Sequence, residues 1–122
     1  MTKKNILSTF RSFIEVQEAL AKNKTTCLEI TNTFLIKIEE HKHLNAFVEI
    51  FNNEALNRAK EIDKKIKAGT AGRLAGMVLG IKDNICYKGH SVSASSKILN
   101  GFESLFSATV IKKIIEEDAI II

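Results

Sequence analysis

Lys82 closes an apolar run at 77–81, and it is the residue in this chain whose type and setting are best suited to chemistry. If 77–81 is a strand, alternation puts Val78, Gly80 and Lys82 on one face and Met77, Leu79 and Ile81 on the other. Gly80 then leaves open space beside the amine. Burial there would disfavour the ammonium form and lower the lysine pKa, which is how a lysine becomes a general base near neutral pH. The plainer alternative is a strand-end lysine that reaches water, and on pattern alone that alternative is the stronger.

The other reactive residue types form no constellation. Ser91, Ser93, Ser95 and Ser96 sit in a polar stretch of the kind that is rich in serine for conformational reasons. The S-x-x-K spacing of the penicillin-binding class is absent, since Leu79 stands three residues before Lys82 and Ala94 three before Lys97. His41 and His43 are two apart on an expected helix end and face different ways, while His90 stands alone, so no bound metal is expected. Asp83 would face away from Lys82 on a strand and is expected to be a structural hydrogen-bond acceptor. Cys27 and Cys86 belong to no C-x-x-C pair, which argues against a zinc knuckle and a disulfide and fits a reducing cytoplasm.

The elements that must position Lys82 are read from caps and periodicity. Ser12 with Glu15, and Thr26 with Glu29, are spaced as capping boxes before the apolar series Val16, Ala19, Leu20 and Leu28, Thr31, Phe34, Leu35, Ile38. Two amphipathic helices joined near Asn23 are expected. A short strand is expected at 46–50, then a helix capped by Asn52 or Asn53 with an apolar stripe of Ala55, Ala59, Ile62 and Ile66. Its opposite face is charged, and Gly69 and Gly72 end it. The run 77–81 has the length of a strand covered on both faces, and Ser107 can cap a helix through Val110, Ile111, Ile114 and Ile115 that leads to Ile120, Ile121 and Ile122. Strand, crossover helix, strand predicts an α/β fold with parallel pairing. The terminal isoleucines carry no turn or polar tail, so the chain is expected to be cut in mid-strand.

Composition sets the remaining bounds. A 122-residue chain that is 45% hydrophobic and 26% charged is expected to form one globular unit or part of one. No apolar run approaches the roughly 20 residues of a membrane helix. Lys3, Lys4, Ser8, Arg11 and Ser12 precede the first acidic residue, a faint transit-peptide character, but the Phe13, Val16, Leu20 spacing is accounted for by an ordinary helix. The net charge of +4 is dispersed along helix faces, which argues against direct nucleic-acid binding.

The segment L-A-G-M-V-L-G-I-K-D-N-I-C-Y-K-G at 74–89 resembles the lysine-bearing segment of the amidase signature family. Within that family S-A-S-S-K-I-L-N-G-F at 93–102, S-A-T-V at 107–110 and L-N-A-F-V-E at 44–49 are similar to the A-subunit branch that serves tRNA-dependent amidotransferases. The likeness runs through nearly all of the chain after Thr9. It implies the amino-terminal part of an α/β/α fold with a mixed, partly parallel central sheet, a helical section at about 9–68 and the start of the catalytic sheet at about 74–122. It also implies that Lys82 is the catalytic base of a lysine and two-serine relay whose serines do not map onto this chain. Glutamine would be the amide substrate. The implied partners are a B subunit, which binds misacylated tRNA and uses ATP and magnesium, and a small C subunit; no cofactor is implied for this chain. One departure is Val78, where many members have proline, and valine is compatible with a strand.

Overall fold

The computed structural model describes residues 10–122. Lys3, Lys4 and Ser8 of the transit-peptide reading lie outside them. Helix α1 (Phe13–Ala21) is capped by Ser12, whose hydroxyl accepts from the Glu15 N–H at 3.3 Å. The Glu15 carboxylate takes the Arg11 N–H instead of the one on Ser12, so the box is closed one residue early. Helix α2 (Cys27–Glu40) has the full reciprocal box, with Thr26 Oγ1 accepting from Glu29 N at 3.1 Å and Glu29 Oε2 accepting from Thr26 N at 3.2 Å. The two helices turn at Asn23, which is in the left-handed region at φ 53°.

Helix α3 (Asn52–Ala68) packs along α2, presenting Ala55, Ala59 and Ile62 to Cys27, Ile30 and the half-buried Phe34 and Ile38. Asp63, from the charged face of α3, accepts from the N–H groups of Cys27 at 2.7 Å and Leu28 at 3.1 Å. Two of the orphan donors at the start of α2 are thereby satisfied by a carboxylate placed where the helix dipole favours it. Gly69 ends α3 at φ 70°.

The sheet consists of β1 (Val78–Leu79) and β2 (Ile120–Ile121), parallel, with Val78 opposite Ile120 and Leu79 opposite Ile121. Helix α4 (Thr109–Glu116) is the crossover. The isoleucines of β2 are buried against α3, as the β-branched run predicts.

Four further expectations differ from the structure. Residues 46–50 are irregular and largely exposed, because no neighbouring strand among the described residues offers their backbone a ladder. The strand expected over 77–81 contracts to Val78 and Leu79, the length over which β2 pairs with it. Neither asparagine caps α3; the helix starts at Asn52 after Phe51, with the Ala55 N–H donating to the Phe51 carbonyl at 2.8 Å. Ser107 does not cap α4, since its hydroxyl accepts from the Lys88 N–H at 3.0 Å and Ala108 takes the cap position. Among the described residues no helix is long and apolar enough to cross a membrane.

Asp118, between α4 and β2, ties the layers together. Its side chain is only 2% exposed, and it accepts from Lys65 Nζ at 2.7 Å, the Gly72 N–H at 2.8 Å and Arg58 Nη2 at 2.9 Å. Gly72 can come this close only as glycine, because a Cβ there would stand 2.5 Å from the Glu117 carbonyl carbon. Burial works to raise the Asp118 carboxyl, but the bonds from Lys65 and Gly72 and the two cations outweigh it and hold the group below the ordinary aspartate range. A carboxyl depressed in the folded state stabilises above its unfolded pKa, and that stability is lost as pH falls through the folded value. Asp118→Ala should therefore cost about 3 kcal/mol in urea unfolding at neutral pH. The parent chain should lose part of that margin on acidification below about pH 4, whereas the variant should not.

Candidate active site

Beyond Leu79 the chain leaves the sheet through Gly80 and Ile81 into a turn closed by the Ile85 N–H donating to the Lys82 carbonyl at 3.0 Å. This turn forms one wall of a cleft of about 550 Å³ whose lining includes Phe47, Gly80, Lys82, Asp83, Ser91 and Ser95. Lys82 is exposed there, not buried. The difference follows from the short strand: alternation stops at Leu79, and no element among the described residues lies over 80–84. The space beside Gly80 is closed on one side by the Phe47 ring, which an added Cβ would meet at 3.4 Å.

Asp83 is tied to the opposite wall. Its carboxylate accepts from the Ser93 hydroxyl and from the Ser93 N–H at 3.3 Å, and its carbonyl accepts from the Ala94 N–H at 2.9 Å. Ser93 to Ser96 is a tight turn, closed by the Ser96 N–H donating to the Ser93 carbonyl at 2.8 Å. Its two central residues both have positive φ, 48° at Ala94 and 60° at Ser95. That is the type I′ geometry normally filled by Asn-Gly. Of the four serines, Ser93 is thus engaged by Asp83, Ser91 forms an isolated bridge with Glu103, and Ser95 faces the cleft.

A second cluster adjoins the cleft. Glu54 of α3 accepts from the Tyr87 hydroxyl at 2.6 Å through one oxygen, and its other oxygen lies 2.8 Å from His90 Nε2. The His90 ring stacks on Tyr87 at 3.8 Å and 6° and meets Phe51 edge-on at 4.4 Å. Burial acts against ionisation of Glu54, but the bonds from Tyr87 and His90 prevail and keep its carboxyl below the ordinary range. Burial, then the bond to Glu54, pushes the Tyr87 phenol well up. The sequence does not announce this cluster, because Glu54 lies 33 residues before Tyr87. The spacing Tyr87, Gly89, His90 is its only local trace.

The remaining candidates fall away. Cys27 is fully buried beside Asp63, and burial followed by that carboxylate pushes its thiol up to about 12, which leaves it an inert thiol. Cys86 is half-buried and unpaired. His41 and His43 are exposed with ring centroids 6.2 Å apart. Among the described residues no group of three or more His, Cys, Asp or Glu side chains is placed to hold a metal ion.

The family model described as Amidase matches residues 29–122, which include every residue of the cleft. The chain belongs to the amidase family. Among curated members, it is 40% identical over 114 residues to the A subunit of the glutamyl-tRNA(Gln) amidotransferase from Chlorobium phaeobacteroides, an alignment covering 93% of this chain and 24% of that relative. The fold is that of solved amidases. An amidase family protein from Bacillus anthracis superposes with a TM-score of 0.86 at 26% identity, over 98% of this chain and 24% of that one. The peptide amidase from Stenotrophomonas maltophilia does so with a TM-score of 0.78 at 27% identity, over 87% and 22%. The chain thus spans about a quarter of the length of the amidases it matches.

The chain has one tyrosine and no tryptophan, so ultraviolet titration reads Tyr87 alone. In Glu54→Ala the phenol should titrate at lower pH than in the parent chain, recovering only part of the shift because burial remains. The same substitution should cost about 1 to 2 kcal/mol in urea unfolding.

Proposed function

We propose that this chain is part of the A subunit of a glutamine-dependent amidotransferase that converts Glu-tRNA(Gln) to Gln-tRNA(Gln), and that Lys82 is its general base. The observation carrying this reading is the 40% identity to an amidotransferase A subunit over 93% of the chain, against 26% and 27% to the two solved amidases. Asp-tRNA(Asn) would be a second substrate by the same chemistry. In this reading neutral Lys82 accepts a proton through a bridging serine, a second serine attacks the side-chain amide of glutamine, and an acyl-enzyme releases ammonia before it is hydrolysed. The B subunit binds the misacylated tRNA and uses ATP and magnesium to activate its carboxylate, and a C subunit braces the pair.

Neither serine of the relay maps onto this sequence. The 122-residue chain by itself is therefore expected to release no ammonia from glutamine. Within a complete A subunit carrying this segment, assembled with B and C subunits, Lys82→Ala should lower glutamine-dependent amidation of Glu-tRNA(Gln) by about 10²-fold or more, the scale of a lost general base. Amidation at the parent rate in that variant would remove Lys82 from the mechanism. Hydrolysis of simple amides without any tRNA-dependent amidation would instead place the segment in a free-standing amide hydrolase.

A further inference from the structure

We propose that Asp83 and Ser93 are positioning residues, which clamp the strained turn at 93–96 against the Lys82 segment and so set how the lysine amine stands in the cleft. This rests on the reading of Lys82 as the amidase base. Two adjacent residues that are not glycine, Ala94 and Ser95, hold positive φ. A Cβ disfavours that region at both residues, so the turn persists only because its surroundings impose it. Asp83 supplies the constraint. Half-buried, it binds Ser93 through both the hydroxyl and the N–H, and its carbonyl takes the Ala94 N–H.

The clamp closes on itself, because Ser93 Oγ also accepts from the Ser95 N–H at 3.3 Å. The Ala94, Ser95 and Ser96 amides are therefore all engaged within it. None is left to stabilise a reaction intermediate, so the turn acts through placement. Lys82 is the residue next to Asp83 in the chain, and its own carbonyl accepts from the Ile85 N–H. Its backbone is thus held on its carboxyl-terminal side, by the Ile85 bond and through Asp83. The cleft that results has Lys82 and Ser95 on its lining together.

The test needs no catalysis and uses the 122-residue chain. Trace acetylation by acetic anhydride across pH, read by peptide mass mapping, gives the reactivity of Lys82 relative to the exposed Lys88 and Lys97. Ser93→Ala removes a donor and leaves the charge of Asp83, while Asp83→Asn removes the charge and keeps the shape. The clamp predicts that both change the relative reactivity of Lys82 by about threefold or more, in the same direction. Amide exchange at 94–96 should quicken about tenfold in both, with the amides of α2 and α3 unchanged. A response to Asp83→Asn alone would reduce the effect to a neighbouring charge and overturn the proposal, as would unaltered exchange in Ser93→Ala. Should Asp83→Asn disturb α2 and α3, Ser93→Ala decides by itself. Failure of the base assignment would show separately, as full amidation by the Lys82→Ala enzyme with the labelling result unaffected.

Discussion

A buried carboxylate in the turn between α4 and β2 sets the terms for everything else in this fold. Asp118 is nearly without solvent, so it can remain charged only if its oxygens are fully engaged. Three donors meet that demand from different places: Lys65 and Arg58 on α3, and the Gly72 backbone in the loop before β1. The requirement fixes the height of α3 relative to β2 and brings the Gly72 loop against Glu117, where a Cβ has no room. With that loop held, the Leu74 N–H reaches the Glu117 carbonyl at 2.8 Å and β1 enters in register with β2. The turn bearing Lys82 follows directly on β1, so its position is inherited from this constraint.

The helices are legible in the sequence because their signals are local. Thr26 and Glu29 announce the start of α2, Gly69 the end of α3, and the apolar stripe of α3 its buried face. The β-branched run at the end of the chain marks β2 for the same reason. What cannot be read depends on partners distant in sequence. The strand expected over 77–81 is shortened by how far β2 runs beside it, and the donor for Ser107 is Lys88 and not its own helix. Ser12 and Glu15 have the right spacing, yet the Glu15 carboxylate takes the Arg11 N–H.

The candidate site divides along the same line. Lys82 stands out from its place at the end of an apolar run, and family resemblance raises it above an ordinary strand-end lysine. Its exposure is not legible, because alternation ends where the strand stops. The acceptor role of Asp83 is legible, but not its partner ten residues on, nor the strain it restrains. Glu54, Tyr87 and His90 leave no such signal, since nothing near Glu54 in the chain distinguishes it from the other acidic residues of a solvated helix face. Long-range polar contacts leave little periodic trace.

All the donors that Asp118 collects precede it in the chain, by 46 to 60 residues. The direct contacts of α2 with α3, with Asp63 seated on the start of α2, lie within residues 26–68, and Ala75, Ile120 and Ile122 complete the core later. During synthesis from the amino terminus, these helices can dock while the segment carrying Asp118 is still inside the ribosome. Arg58 and Lys65 would then wait in water as ordinary surface cations until the carboxylate arrives. Closing that long loop onto the helices carries the larger entropic cost, and the parallel strands pair as its consequence.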